Sequence, residues 1–311
     1  MADLEPGVSI GWIGTGRMGF PLAARLAKAG LDVAVWNRTR AKAEPLAEFG
    51  ATVVENVVDL ANRNVVFTMV STSADLEQVV EGLLADPNHA PDSVIDCSTV
   101  SSESSAAVRA RLAERGTAFV AAPVSGNGKV VKSGKLTLVC SGPKDAFEVA
   151  RPLLEMLGRH VTYVGDSEHA RLVKICHNLL LAVVAQNLAE ITVLAEKGGV
   201  SRAAFLEFIN NSVMGSVFTR YKTPAYVNLD FTPTFTPVLL LKDLDLGLEA
   251  GSKLGVPMPV VAAAREPVQS AIASGREKED FAVLLELEAA LSGLQLVPED
   301  VPVGDGLEAV D

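Results

Sequence analysis

The chain has 311 residues, enough for two domains, with an ordinary globular balance of 49% hydrophobic and 21% charged residues. Its net charge of −11 argues against broad electrostatic binding to nucleic acid. No uninterrupted apolar run reaches the roughly 18 residues needed to span a bilayer. The N-terminus MADLEPGVSI lacks the basic region and apolar core of a secretion signal. A cytoplasmic protein without membrane or nucleic-acid partners is therefore expected. Cys97, Cys140 and Cys176 are scattered through apolar contexts and read as buried free thiols; their spacing predicts no metal site.

In chain order, Val8–Ile13 reads as a strand and Pro21–Ala29 as a helix stopped by Gly30. Asp32–Trp36 is a second strand, and Arg40–Phe49 is predicted as a helix capped by Thr39. Val65–Val70 and Val94–Asp96 are further strands, with a helix from near Ser73 between them. Ser101–Arg115 reads as a helix, Ala118–Ala121 as a strand, and Leu136–Cys140 and Val161–Val164 as strands around a helix from Pro143 to Leu157. This alternation predicts βαβ units and a doubly wound, mostly parallel sheet.

The pattern changes near Gly165. Residues His169 to Lys197 contain no Gly or Pro and repeat apolar residues at helical spacing, a helix of about 40 Å ended by Gly198-Gly199. Ser201–Ile209, Pro237–Leu254, Pro259–Ala273 and Glu277–Leu291 read as further helices. The fold class expected is therefore α/β: an N-terminal Rossmann domain over 1–166, then the long interdomain helix and an all-α domain over 167–296. An acidic tail over 297–311, containing Pro and Gly, is read as mostly disordered.

The first strand ends in Gly14-Thr15-Gly16-Arg17-Met18-Gly19, directly before a helix. Gly14 permits the tight turn, Gly16 lets a pyrophosphate approach the backbone, and Gly19 lets helix and strand pack closely. The phosphates would sit at the helix N-terminus, where unpaired N–H groups and the macrodipole favour anions. An Asp or Glu about 20 residues further on would read the ribose 2′-hydroxyl of NAD. This chain has Asn37-Arg38-Thr39 there instead. Arg38 can make charge-assisted contacts to a 2′-phosphate, with Asn37 and Thr39 adding hydrogen bonds, so NADP(H) is favoured over NAD(H).

Three later segments complete a pattern. They are Ala121-Ala122-Pro123-Val124-Ser125-Gly126-Asn127-Gly128, Lys174-Ile175-Cys176-His177-Asn178, and Leu241-Lys242-Asp243-Leu244-Asp245-Leu246. Lys174, His177 and Asn178 share one helix face. The flanking residues are apolar, which argues against a merely solvated lysine. A desolvated lysine can have its pKa lowered toward neutrality and exchange a proton with a substrate oxygen. His177 reads better as a core histidine bonded to backbone.

With the glycine motif, these segments resemble the β-hydroxyacid dehydrogenase family, which includes 3-hydroxyisobutyrate dehydrogenases and glyoxylate/succinic semialdehyde reductases. The resemblance runs from about residue 8 to 293. It implies that Ser125, Gly126 and Asn127 bind the substrate carboxylate, that Lys174 is the catalytic lysine and that Asn178 is its amide partner. It further implies that Lys242 lies near the nicotinamide ribose, that Ser98 and Thr99 form a loop beside the nicotinamide, and that Met69 and Val70 line the same cleft. The chain departs from the family in having Asn127 where many members have a second glycine. It also has Asp166-Ser167-Glu168-His169-Ala170-Arg171 where members often carry Gly-x-Gly-Gln ahead of the lysine, and His177-Asn178 in place of two asparagines.

The function expected is hydride transfer between NADP(H) and a short-chain β-hydroxyacid or its aldehyde acid, with Lys174 moving the proton. Two alternatives carry the same architecture: an imine reductase, against which Lys174 argues, and a silent NADP-binding interaction module, against which Lys174 and Ser125 both argue. Val213, Met214, Phe218, Phe231 and Phe235 either shape a side-chain pocket or pack as core or dimer contacts. Apolar faces of the helical half, including Leu239-Leu240-Leu241, predict a homodimer or homotetramer.

Overall fold

The structure, a computed structural model, describes residues 7–307. The chain divides into two compact units after Lys174. In the first, β1 (Ser9–Ile13), β2 (Asp32–Trp36), β3 (Thr52–Val53), β4 (Val65–Thr68), β5 (Ser93–Asp96) and β6 (Ala118–Ala121) form a parallel sheet ordered β3-β2-β1-β4-β5-β6. Gly11 sits opposite Ala34 on one side and Val66 on the other. The strands are apolar along nearly their whole length because both faces are covered. Ile10, Trp12, Val66, Phe67, Val94 and Val120 all have no exposed surface, and Trp12 stacks on Phe67 at 5.2 Å between ring centres.

The covering helices begin where the sequence provides caps. For α2 (Ser73–Leu83), Thr72 and Asp75 form a reciprocal capping box, and for α3 (Ser102–Ala113), Ser101 accepts from the Ser104 N–H. α1 (Gly19–Lys28) has no side-chain cap and starts directly on the glycine loop, its Phe20 N–H donating to the Gly16 carbonyl at 3.0 Å. Strand order reverses between β1 and β4, so their C-terminal ends form the switch point where such sheets bind ligands.

A smaller sheet follows: β7 (Val124–Ser125), β8 (Thr137–Cys140) and β9 (His160–Tyr163), with α4 (Gly128–Lys132) and α5 (Lys144–Leu157) between them. β7 runs antiparallel to β8, and β9 parallel to it.

The helix expected over Arg40–Phe49 is two 3₁₀ turns, Arg40–Lys42 and Glu44–Phe49. Pro45 explains the break, since it lacks an N–H and its ring would clash with the carbonyl four residues earlier.

α6 (His169–Lys197) begins in the first unit and continues into the second, which also contains α7 (Arg202–Asn211), α8 (Val217–Asn228), α9 (Pro237–Lys253), α10 (Pro259–Ala273) and α11 (Leu284–Leu291). Leu179, Ala182, Ala185, Ala189 and Val193 of α6 are buried with Leu240, Leu244, Val268 and Leu285. Gly247 permits the closest approach, because a Cβ there would lie 2.4 Å from the Leu179 side chain. By length and composition α6 could cross a membrane, but 50% of its most apolar stretch is buried inside the fold.

Three expectations need correction here. Cys97 and Cys140 are buried, but Cys176 is exposed on the outer side of α6. The helix expected from Glu277 begins only with a 3₁₀ turn at Phe281, because the Asp280 carboxylate caps the Ala282 N–H and is buried against Lys222. Residues 297–307 are not a free tail. Glu299 accepts from the backbone N–H groups of Arg202 and Ala203 at 2.6 and 3.0 Å, and the Val297 carbonyl accepts from the Arg202 guanidinium. The rest of the expected tail, 308–311, lies outside the described residues. In the apolar set, Phe218, Phe231 and Phe235 pack against the core, whereas Val213 and Met214 are exposed.

Candidate active site

The glycine loop is built as a cradle. Gly14 has φ +94°, and a Cβ there would lie 2.3 Å from the Met69 carbonyl oxygen. A Cβ on Gly19 would lie 1.9 Å from the Gly14 carbonyl oxygen, so only glycine lets α1 sit this close to β1. At Gly16 nothing lies within 4 Å of that position, leaving open space beside exposed backbone. The loop is pinned by Trp12 Nε1 donating to the Gly14 carbonyl at 2.9 Å and by the Gly14 N–H donating to the Trp36 carbonyl. Thr15 is buried, and its hydroxyl has no hydrogen-bond partner. An open glycine and an orphaned hydroxyl at the start of a helix fit a dinucleotide pyrophosphate. Arg17 is exposed and Met18 half-buried on the same loop.

At the end of β2 the three candidate residues part company. The Asn37 side chain faces inward: its oxygen accepts from the Thr15 N–H at 2.9 Å and its nitrogen donates to the Thr39 carbonyl at 2.9 Å. Asn37 therefore shapes the loop. Arg38 is 76% exposed and pairs with Asp75 at 3.1 Å, presenting the rest of its guanidinium to solvent. Thr39 is exposed beside it.

The Ser125–Gly128 segment lies against the glycine loop, since a Cβ on Gly128 would be 3.2 Å from the Arg17 carbonyl oxygen. Gly126 needs its glycine, with φ +134° and Val130 2.6 Å from where a Cβ would stand. Asn127 caps α4, its oxygen accepting from the N–H groups of Lys129 and Val130, and its buried amide nitrogen has no partner. Ser125 is half-buried at the end of β7.

Met69 and Val70 are half-buried at the end of β4. Ser98, by contrast, has no exposed surface; its hydroxyl donates to Asp96 at 2.6 Å and accepts from the Val70 N–H at 2.8 Å. The loop therefore offers Thr99, half-exposed, rather than the Ser98 hydroxyl. Burial, with help from Asp96, pushes the Cys97 thiol well above its ordinary value, so it is no nucleophile. Lys174 is 8% exposed, near the start of α6. Three residues before it, Arg171 is buried against Asp96 at 2.5 Å. Neither Arg171 nor Asp96 was singled out by motif, although Asp96 stands two residues before Ser98.

In the second unit, Asn178 is 4% exposed and its amide nitrogen donates to Asp243 at 2.5 Å. Its oxygen lies 2.9 Å from His177 Nδ1, and His177 is exposed, so it is not the core histidine expected. Asp243 is 1% exposed, and Lys242, the expected ribose neighbour, lies 3.3 Å from its other oxygen. Asp243 thus orients Asn178. It is a further polar residue that reading the Leu241–Leu246 motif for its lysine alone passes over.

A doubly wound sheet with this loop at its switch point defines a dinucleotide-binding fold. Residues 9–165 match the NAD binding domain of 6-phosphogluconate dehydrogenase, and residues 169–287 match the NAD-binding domain of NADP-dependent 3-hydroxyisobutyrate dehydrogenase. The chain is 31% identical to 2-(hydroxymethyl)glutarate dehydrogenase of Eubacterium barkeri, over 94% of this chain and 99% of that one. It is 30% identical to the chloroplastic glyoxylate/succinic semialdehyde reductase 2 of Arabidopsis thaliana, over 92% and 81% of the two chains. A crystal structure of 3-hydroxyisobutyrate dehydrogenase from Salmonella typhimurium superposes with a TM-score of 0.81 at 26% identity, covering 90% of this chain and 99% of that one. The chain belongs to the β-hydroxyacid dehydrogenase family of NAD(P)-dependent oxidoreductases.

Proposed function

We propose that this chain is an NADP(H)-dependent dehydrogenase or reductase of short acids bearing a β-hydroxyl or the corresponding aldehyde, with Lys174 as the proton-transfer group. The observation that carries the reading is Lys174 itself, a lysine 8% exposed in an otherwise apolar stretch at the start of α6. Lysines are rarely buried without a task.

The Gly14–Gly19 loop would hold the pyrophosphate, Arg38 and Thr39 the 2′-phosphate, and Met69, Val70 and Thr99 the nicotinamide end, with Lys242 beside its ribose. When bound, the nicotinamide supplies the hydride acceptor or donor. Ser125, the Gly126 N–H and the Asn127 amide nitrogen hold the substrate carboxylate and so fix the reacting carbon. In oxidation, neutral Lys174 accepts the hydroxyl proton as the carbon–hydrogen bond gives up its hydride. In reduction, the Lys174 ammonium returns that proton to the carbonyl oxygen. Asn178, held by Asp243, orients the substrate oxygen. NADP(H) is preferred because β2 itself ends in no carboxylate and Arg38, although paired with Asp75, keeps a largely exposed guanidinium.

The test is NADPH oxidation against glyoxylate, succinic, methylmalonic and tartronic semialdehydes and cyclic imines, with NADH in parallel. The reading expects an aldehyde acid to be reduced fastest and NADPH to be the better donor. Reduction of cyclic imines alone would replace it with imine reduction.

A further inference from the structure

The entry into α6 is clamped by side chains that this chemistry does not use. Arg171 is 1% exposed. Its Nη2 donates to Asp96 Oδ2 at 2.5 Å, its Nη1 to the Ser98 carbonyl at 2.7 Å and its Nε to Ser105 Oγ at 3.0 Å. Asp96 has no exposed surface, and its other oxygen accepts from the hydroxyls of Thr68 and Ser98, both at 2.6 Å. Ser98 Oγ in turn accepts from the Val70 N–H. One chain of hydrogen bonds therefore joins the first turn of α6 to the ends of β5 and β4. Those three places carry Lys174, Thr99 and Met69–Val70.

A second clamp lies just before it. Arg109 donates to Glu168 at 2.8 Å and to the Ser167 carbonyl at 2.8 Å, and Ser141 Oγ accepts from the Ala170 N–H. These contacts occupy the Asp166–Arg171 stretch that leads into α6.

Stability alone does not explain such a pair. Exchanging a buried ion pair for apolar side chains is often neutral or stabilising. What a guanidinium fork adds is one fixed geometry, since its donors cannot move independently. We propose that Arg171, through Asp96, is a positioning residue. It sets the rotation of the first turn of α6, and with it the Lys174 amine, against the Ser98–Thr99 loop and the end of β4. The proposal rests on the reading of Lys174 as the proton-transfer group.

The experiment compares wild type, Lys174→Ala, the charge-neutral double variant Asp96→Asn/Arg171→Gln, and Arg171→Lys in the full chain. Each is measured for thermal melting, NADPH affinity by quenching of tryptophan fluorescence, and the pH profile of kcat with the best aldehyde acid of the panel. The double variant should bind NADPH within threefold of wild type, lose tenfold or more in kcat, and displace the pH profile of kcat, which a merely structural role would leave in place. Arg171→Lys keeps the charge pair but not the fork, and should lose threefold or more in kcat with the profile again displaced. If the double variant does not fold, Arg171→Lys decides alone.

A lowered melting temperature with wild-type kcat and pH profile would overturn the positioning role and leave a structural one. If Lys174→Ala is inactive while both Arg171 variants turn over as wild type, only the positioning role falls. If Lys174→Ala itself turns over as wild type, the reading of Lys174 falls and this proposal falls with it.

Discussion

Arg38 and Asn37 are neighbours in sequence with opposite assignments in the structure. Asn37 turns inward to hold the Thr15 N–H, while Arg38 is 76% exposed with Asp75 as its ion-pair partner. The 2′-phosphate reading therefore rests on Arg38 far more than on Asn37. Hydrogen bonds to charged groups contribute about 1.5–3 kcal/mol. Arg38→Asp should accordingly raise the KM for NADPH by roughly 10- to 100-fold and leave that for NADH unchanged or lower. Steady-state kinetics with both cofactors check this, and an unchanged KM ratio would remove Arg38 from cofactor selection. The glycine loop was legible because Gly14, Gly16 and Gly19 mark a tight, open turn in a single sequence. Arg171 and Asp243 were not, because whether a charged residue is buried depends on partners 75 and 65 positions away.

At the scale of elements, the alternation of short apolar runs with amphipathic segments made the sheet legible, and the run from His169 to Lys197 is one helix as read. α8 was not legible, since its sequence mixes Thr, Arg, Tyr and Lys around Pro224 without an apolar repeat. Its one local mark is the Ser216–Thr219 capping box. α8 is held by Ala225, Tyr226 and Val227 in the core and by Lys222, 2% exposed and bonded to Asp280 at 2.5 Å. Burial pushes the Asp280 carboxyl up, but the Lys222 charge and hydrogen bonds from Lys222, Ala282 and Thr234 outweigh it and hold the group below its ordinary 3.8. A carboxyl depressed in the folded state stabilises above its unfolded value, and that stability is lost as pH falls through the folded value. Asp280→Asn removes the charge partner of a buried ammonium, so it should cost roughly 3–5 kcal/mol near neutral pH. The difference between variant and wild type should shrink on acidification below about pH 4. Denaturant melts at several pH values measure it, and a pH-independent difference would contradict the assignment.

At the scale of the whole molecule, exposed apolar side chains gather on the helical unit. Leu180 and Leu194 on α6 are 63% and 72% exposed, with half-buried Val183, Val184 and Ile191 beside them on that helix. A stripe of this kind favours a second copy of the chain as its cover. We expect a homodimer or homotetramer by light scattering, and Leu180→Lys/Leu194→Lys should shift it toward monomer; a monodisperse wild-type monomer would contradict this. The account as a whole turns on one amine. General acid–base groups contribute about 10²- to 10⁴-fold to rate. The most direct test is NADPH-dependent reduction of the best aldehyde acid of the panel by Lys174→Ala beside wild type. The account predicts a loss of kcat within that range with NADPH affinity preserved. Wild-type turnover by Lys174→Ala would contradict it.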